Sequence, residues 1–210
     1  MPNAVILANG VPPRRETLQA VLERASLLVC ADGGADTARR YGLTPQAIVG
    51  DIDSASAETL AHFTSVPVVR DTDHERTDAE KALDWVLRQG DFDRVTLLGA
   101  TTGRLDHVLG HLSLLRRYHG RTSLVLEDDV VRAWLARGAA AIEEPRGTVV
   151  SFFAVGKPVV GLTTENLRYP LRDCRLELGV QDSISNVVER SPARVTMASG
   201  EILLIVVKDA

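Results

Sequence analysis

Lysine is almost absent from this chain of 210 residues, which holds only Lys81, Lys157 and Lys208. Arginine carries the rest of the positive charge, and acidic and basic residues are mixed along a chain of formal net charge −4. Nucleic-acid-binding proteins usually show a basic face or tail, so we expect no nucleic-acid partner. A side chain that binds phosphate here is expected to be the planar fork of an arginine.

Cysteine and long apolar runs are also scarce. Cys30 and Cys174 lie far apart in the sequence, which excludes a disulfide framework and a zinc site built from cysteines. We therefore expect a reducing compartment, the cytoplasm. No apolar run reaches membrane-spanning length, and the first eight residues are too short and uncharged for a signal peptide, so we expect no membrane partner.

The chain has two parts that differ in the spacing of their apolar residues. In residues 1–120, short apolar runs alternate with segments whose apolar residues recur at helical spacing, which predicts an α/β, Rossmann-like domain with a parallel sheet. The apolar runs are 4–8, 27–31, 47–50, 66–70 and 95–99, and the helical segments are 16–24, 77–88 and 105–118.

Residues 121–210 have a different pattern. Apolar stretches separated by turn residues, with no long helix between them, predict a small antiparallel β-sandwich. The predicted strands are 148–153, 159–162, 174–178 and 202–207.

Acidic residues recur where the predicted parallel strands end, at Asp32, Asp51 and Asp71. In open α/β sheets, ligands bind beyond the carboxyl ends of the strands, so these acids are expected to meet in one crevice. After Asp32, Gly33 and Gly34 allow the backbone to approach a phosphate closely, and we count all three as candidates for nucleotide binding. A tight strand-to-helix turn explains the motif about equally well.

The pair Asp51 and Asp53 gives a stronger signal. In an extended stretch both carboxylates face the same side and repel each other unless a cation lies between them, and Mg²⁺ is the cation that such oxygens suit. The structural alternative is a loop in which Asp53 or Ser54 caps a helix from Ala55 onward.

The next charged segment precedes the predicted helix 77–88. Thr77 and Glu80 have the spacing of a capping box. That box does not account for Asp73, Glu75 and Asp78, and carboxylates at a helix start are well placed to hold Mg²⁺.

Segment 99–107 combines glycine and threonine at a strand-to-helix junction, which suits a phosphate or a ribose, and Arg104 supplies a fork for phosphate oxygens. A plain loop with Asp106 near a helix N-terminus is the alternative. His107 and His111 lie one helical turn apart, but a zinc site is the weaker interpretation because no third ligand is near.

The second half offers Tyr169, which could stack on a heteroaromatic ring, and Ser185 with Asn186, which could hydrogen-bond the edge of that ring. Spacing alone favours a core position for Tyr169 and a turn at Ser185 and Asn186.

Taken together, these motifs resemble the thiamine pyrophosphokinase (thiamin diphosphokinase) family, over nearly the whole chain. Six of them follow one another in the family's order, which is specific although each one alone is weak. They are 32–35, 50–54, 77–78, 103–107, 167–171 and 185–186.

The resemblance implies an ATP-binding α/β domain, a sandwich that helps to bind thiamine, and a homodimer with each active site between subunits. It implies transfer of pyrophosphate from ATP to the thiamine hydroxyl, giving thiamine diphosphate and AMP. By the same resemblance, Mg²⁺ would be bound by Asp51, Asp53 and Asp78. The nucleotide would lie near Gly33, Gly34, Thr101, Gly103, Arg104, Asp106 and His107. Thiamine would be lined by Tyr169, Ser185 and Asn186.

The chain departs from the family pattern at three places. Glu75 stands where the family usually has the first aspartate of Asp-x-Thr-Asp, so Glu75, Asp73 or Asp71 would serve there. His111 lies near a usual asparagine, and Val187 follows Asn186 where glutamate is frequent.

The charges suggest a mechanism in which Mg²⁺ and Arg104 offset the triphosphate and the hydroxyl attacks the β-phosphorus. Asp51 and Asp53 belong to this catalytic set, and the hydroxyl proton would pass to Asp78 or, as second choice, to Asp73. Two alternatives stay open. One is another Mg²⁺-dependent phosphotransferase acting on a small alcohol, and the other is a non-catalytic regulator that binds thiamine or a nucleotide.

Overall fold

The computed structural model describes residues 2–208. The chain divides into two compact units, one ending at Asp129 and the other beginning at Val130. The division falls after strand β6 (Ser123–Glu127). The sequence pattern predicts the boundary before that strand, at residue 120. The reason is that β6 pairs in parallel with β5 (Arg94–Leu98) and so belongs to the parallel sheet of the first unit.

The first unit alternates strands and helices, as predicted. Its sheet holds six parallel strands in the order β6-β5-β1-β2-β3-β4. Besides β5 and β6, its elements are β1 (Asn3–Leu7), α1 (Arg15–Leu22), β2 (Leu27–Ala31), α2 (Gly34–Tyr41), β3 (Ala47–Gly50), α3 (Ala57–His62), β4 (Val68–Arg70), α4 (Asp78–Gln89) and α5 (Leu105–Arg117).

This strand order creates a crevice. From β1 the chain builds outward through β2, β3 and β4, and then returns to place β5 on the other side of β1. The connections after β1 and β5 therefore run in opposite directions, and the gap between them is where α/β sheets bind ligands. Below the gap, apolar side chains of the strands pack with those of α1 and α2, including Leu7, Cys30, Leu18 and Ala35.

The helix starts partly differ from the sequence expectations. Thr77 caps α4, since its side chain accepts a hydrogen bond from the Glu80 N–H at 3.3 Å. The other bond of the capping box, from the Thr77 N–H to the Glu80 carboxylate, is wrong, because that carboxylate binds Arg117. The cap of α3 is Ser56, which accepts from Thr59 N–H at 3.2 Å, and neither Asp53 nor Ser54 takes that role.

The strands of the second unit pair antiparallel in two sheets, in the orders β12-β9-β14-β7 and β11-β10-β13-β8. Both sheets contribute to one buried core, in which Phe152 and Leu204 meet Leu162, Leu176 and Val195. Its strands are β7 (Val131–Ala136), β8 (Ala139–Ile142), β9 (Val149–Ala154), β10 (Val159–Glu165), β11 (Cys174–Leu176), β12 (Ser183–Val187), β13 (Ala193–Thr196) and β14 (Ile202–Val207).

The predicted α/β sheet followed by a β-sandwich is therefore confirmed. Strands β6, β7, β8, β12 and β13 lie outside the predicted strands. Alanine and polar side chains give β8 and β12 little strand propensity of their own. Among residues 2–208, no helix has the length and apolar character that crossing a membrane requires.

Candidate active site

A cavity of about 570 Å³ opens at the carboxyl ends of β1 and β5, where the strand order reverses. Three chain segments supply most of its wall, namely the turn after β1, the loop after β5 and the start of α4. The lining residues are Ala8, Asn9, Gly10, Val11, Ala31, Ser54, Thr77, Asp78, Ala79, Gly99, Thr102, Gly103, Arg104, His107 and His111.

The turn after β1 was not singled out from the sequence. A Cβ atom on Gly10 would lie 2.1 Å from the carbonyl oxygen of Gly99, so the two loops approach each other closely only because residue 10 is glycine. Similarly, a Cβ on Gly33 would lie 2.4 Å from the Asn9 side chain. The signal was present, because Asn9 and Gly10 form a turn dipeptide directly after the first apolar run.

Three carboxylates meet beside this cavity. Asp32, Asp51 and Asp78 each offer an oxygen, and these oxygens lie within 4.8 Å of one another. We call these three residues the acid group. Asp53 lies outside it, since its side chain is exposed and accepts a hydrogen bond from Ser54 Oγ at 2.9 Å. A metal-binding role for Asp53 stays a prediction.

Asp32 is the buried member of the acid group, with 1% of its surface exposed. Its two oxygens accept hydrogen bonds from the backbone N–H groups of Ser54 and Ala55, each at 3.0 Å. Burial raises the pKa of Asp32, and the two backbone donors oppose that rise. The bonds fix the carboxylate against the loop that carries Asp51.

Gly50 makes the close approach of the acid group possible. A Cβ atom at this position would lie 2.9 Å from Asp32 Cβ and 3.0 Å from Asp78 Oδ1. Any side chain at residue 50 would therefore push these two carboxylates apart.

Asp78 begins α4 and is held from two sides. Its Oδ1 atom accepts a hydrogen bond from the Lys81 ammonium at 3.0 Å and one from the Asp51 N–H at 3.3 Å. Only 2% of the surface of Lys81 is exposed. In the sequence Lys81 stands out only as one of three lysines, although its position one helical turn after Asp78 is a usable signal.

The other acids of this region are bound elsewhere. Arg76 binds Asp71 at 2.7 Å, Asp73 at 2.8 Å and Asp84 at 3.1 Å. The Arg76 guanidinium lowers the pKa of Asp73. Glu75 is exposed. The acid group includes neither Glu75 nor Asp71 nor Asp73.

Arg104 stands at the cavity wall, with 74% of its side-chain surface exposed. Its guanidinium binds Asp106 through Nε at 3.1 Å and Nη2 at 2.5 Å. This ion pair lowers the pKa of Asp106 to about 2, so Asp106 stays charged at neutral pH. His107 also lines the cavity from the first turn of α5.

His111 lines the same cavity one turn further along α5. It is 7% exposed, and its Nδ1 atom lies 2.9 Å from the Ala100 carbonyl oxygen. A carbonyl only accepts, so Nδ1 carries the proton. Burial lowers the pKa of His111, and in the neutral ring Nε2 is a hydrogen-bond acceptor.

Thr101 is a predicted nucleotide ligand, which stays a prediction, and it also makes a structural contact. Its hydroxyl and backbone N–H both bind the buried carboxylate of Asp128. Asp128 also accepts from the Gly99 N–H at 2.8 Å, so it fixes the loop after β5. Asp128 belongs to none of the motifs that the sequence offers.

The predicted thiamine residues line a pocket of about 250 Å³ in the second unit. Tyr169 is 60% exposed there, so the expected core position is wrong. Ser185 and Asn186 lie in β12, at a register irregularity, and do not form the expected turn. The amide of Asn186 accepts from Tyr169 N–H at 3.1 Å and donates to the Tyr169 carbonyl at 2.7 Å, so it positions that tyrosine.

Comparison with known proteins identifies the family. Residues 18–126 match the family model of the thiamin pyrophosphokinase catalytic domain. The chain belongs to the thiamin pyrophosphokinase family. Residues 141–202 also match the vitamin B1 binding domain of thiamin pyrophosphokinase. The resemblance inferred from the six ordered motifs is thereby confirmed.

Individual relatives match nearly the whole chain. Thiamine pyrophosphokinase 1 of Oryza sativa subsp. japonica is 28% identical over 96% of this chain and 86% of the relative. Thiamine pyrophosphokinase of Bacillus subtilis is 26% identical over 95% of this chain and 96% of the relative. The crystal structure of the Bacillus subtilis enzyme superposes with a TM-score of 0.89 at 25% identity, covering 99% of this chain and all of that one.

Proposed function

We propose that this protein is a thiamine diphosphokinase, which transfers a pyrophosphoryl group from ATP to the thiamine hydroxyl and releases AMP. The observation that carries the proposal is the acid group beside a switch-point cavity, in a chain of the thiamin pyrophosphokinase family. Carboxylates beside a triphosphate would repel it, so such a site calls for a divalent cation.

The acid group fits Mg²⁺ in its chemistry. Its three members offer hard oxygen ligands within 4.8 Å of one another, and one of them is buried and fixed by two backbone donors. Mg²⁺ bound there would neutralise negative charge on the phosphates. We propose Asp32, Asp51 and Asp78 as its ligands, with Asp32 in place of the Asp53 expected from the resemblance.

The protein's own groups would orient the reactants. Glycines at positions 10, 99 and 103 leave room for a nucleotide along the cavity wall, and the Nη1 group of Arg104 remains to contact a phosphate after Asp106 has bound Nε and Nη2. For the hydroxyl proton, we propose Asp78 as the acceptor. Asp73 is less suited, because Asp78 lines the cavity and Asp73 does not.

Product analysis tests the reaction directly. The protein is incubated with ATP, Mg²⁺ and thiamine, and the products are separated and identified by mass. We expect thiamine diphosphate and AMP in equal amounts. ADP with thiamine monophosphate would contradict the pyrophosphoryl transfer, and nucleotide binding without AMP would favour a regulator.

Two substitutions test which acids hold the cation. Asp51→Asn should lower turnover by about 10²-fold or more, as when one group that stabilises transition-state charge is removed. Asp53→Asn is the matched variant, because Asp53 is two residues away and outside the acid group. If Asp51→Asn and Asp53→Asn lose Mg²⁺-dependent turnover equally, Asp53 also belongs to the cation site.

For thiamine, we propose stacking on Tyr169 in the pocket of the second unit, with Asn186 holding the tyrosine backbone. Tyr169→Ala should raise the KM for thiamine about 5- to 10-fold, the effect of one lost aromatic pair. Tyr169→Phe keeps the ring and should leave KM almost unchanged. An equal rise in both variants would contradict stacking.

We also propose a homodimer. The support is an exposed apolar set in the second unit, Leu178, Val180 and Ile184, of the kind that marks interaction surfaces. Val180→Asp should shift the sedimentation coefficient towards that of a monomer, whereas Val160→Asp changes an exposed valine outside this set and should not. A monomeric wild-type protein would contradict the proposal.

A cytoplasmic location completes the proposal. Both cysteines are free thiols, which suits a reducing compartment. Fractionation of cells that express the tagged protein would test it.

A further inference from the structure

Lys81 is the most buried charged side chain that the proposed function does not use. It lies on α4 with 2% of its surface exposed, and its ammonium donates to Asp78 Oδ1 at 3.0 Å. Charged side chains are rarely this buried unless a partner of opposite charge compensates them. The acid group supplies that compensation.

The contact leaves room for a cation. The bonds from Lys81 and from the Asp51 N–H both fall on Oδ1 of Asp78. A carboxylate accepts through both of its oxygens, so Oδ2 of Asp78 can serve a cation while Oδ1 keeps the lysine. Lys81 therefore need not leave when a cation binds.

The net charge of the acid group determines the effect of Lys81. When ionised, the acid group carries three negative charges within a few ångströms, and Lys81 reduces the local charge to two negative charges. One divalent cation balances that remainder. In the absence of a cation, like charges this close destabilise the fold unless an internal positive charge offsets them.

We propose that Lys81 is the built-in counter-ion of the acid group, which keeps the site assembled when no cation is bound and weakens cation binding by repulsion. The inference rests on the cation site of the proposed function. It makes Lys81 a positioning residue, which acts through Asp78 and touches neither thiamine nor the nucleotide.

Lys81→Met removes the charge and keeps an unbranched side chain of similar length. In buffer with a chelator, this variant should melt at a lower temperature than Lys157→Met, the same substitution at an exposed lysine of the second unit. Adding Asp51→Asn to Lys81→Met should restore much of the melting temperature, because it removes one of the unbalanced negative charges. If Asp51→Asn lowers the melting temperature of Lys81→Met further, the proposal is overturned.

Cation binding gives the second readout, with Mn²⁺ as the probe, no nucleotide, and detection by electron paramagnetic resonance. Mn²⁺ should bind Lys81→Met at least about 10-fold more tightly than wild type, because a unit charge at such distances has that much effect. It should also raise the melting temperature of the variant more than that of wild type. Unchanged or weaker binding would overturn the proposal.

The outcomes separate the two proposals. If Mn²⁺ binds wild type no better than Asp51→Asn, the cation site of the proposed function fails, and the melting experiment in chelator still tests the counter-ion. If Lys81→Met does not fold, Lys81→Met with Asp78→Asn removes the charge pair together and should fold. Failure of that double variant to fold would count against the counter-ion.

Discussion

At the scale of single residues, the acid group depends on a position that carries no functional atom. Gly50 ends β3 and faces both Asp32 and Asp78, so the absence of its side chain sets how closely the two carboxylates approach. The lack of a Cβ atom at residue 50 shapes the acid group as much as the carboxylates themselves do.

Gly50→Ala should therefore weaken cation binding by about 10-fold or more, the effect expected when the support of a metal ligand is disturbed. The new Cβ would lie 2.9 Å from Asp32 Cβ and 3.0 Å from Asp78 Oδ1, so the carboxylates must move. Titration with Mn²⁺ measures the effect.

Gly110→Ala is the control for this substitution. A Cβ on Gly110 meets no atom within 4 Å, and the residue lies inside α5. The change should leave cation binding intact and stabilise the helix by about 1 kcal/mol. Equal losses of Mn²⁺ affinity in the two glycine variants would show that crowding at Gly50 is not the cause.

At the scale of elements, Asp36 of α2 ties the start of α3 to α2. Its carboxylate accepts from Ser56 Oγ at 2.5 Å, from Ser56 N–H at 3.2 Å and from the Thr59 hydroxyl. Burial alone would raise the pKa of Asp36, but these bonds outweigh it and the pKa is lowered. The loop that carries Asp51 and Asp53 ends at this junction.

A pH dependence follows from the lowered pKa of Asp36. A carboxylate whose pKa is lower in the folded state stabilises the fold above its unfolded pKa, about 4, and loses that contribution as the pH falls through the folded value. Asp36→Asn should thus destabilise the protein by about 1–3 kcal/mol at pH 7, and by less below pH ~4.

Urea denaturation of Asp36→Asn and wild type at several pH values measures this difference. Asp91→Asn, at an exposed aspartate, should show almost none. A difference for Asp36→Asn that stays constant down to pH ~3 would contradict the role of the charge.

The elements also show which patterns in the sequence were informative. The runs at 27–31 and 47–50 became β2 and β3 with the same bounds, because a fully buried parallel strand is apolar throughout. β8 and β12 were missed because pairing with neighbours, and not their own residues, makes them strands.

At the scale of the whole molecule, each unit has its own buried core. Phe152 and Leu204 belong to the core of the second unit, whereas the acid group and its cavity lie in the first. Stability of the sandwich and binding of the cation should therefore respond to different substitutions.

Phe152→Ala tests this separation. The side chain is fully buried, so its loss should lower the free energy of unfolding by about 3–5 kcal/mol, as measured by urea denaturation. Under conditions where the variant stays folded, its affinity for Mn²⁺ should match that of wild type. A parallel loss of Mn²⁺ affinity would mean that the cation site depends on the sandwich core.

The sequence by itself determined the alternation of strands and helices in residues 1–120, the family and the strand ends at which acids occur, because buried strands, turn dipeptides and ordered motifs are local properties of a chain. Only the tertiary structure decided which acids meet. It grouped Asp32 with Asp51 and Asp78, left Asp53 outside, and placed Lys81 in contact with Asp78. Distances between residues on different strands depend on pairing and on the space left at Gly50, and no local pattern encodes either.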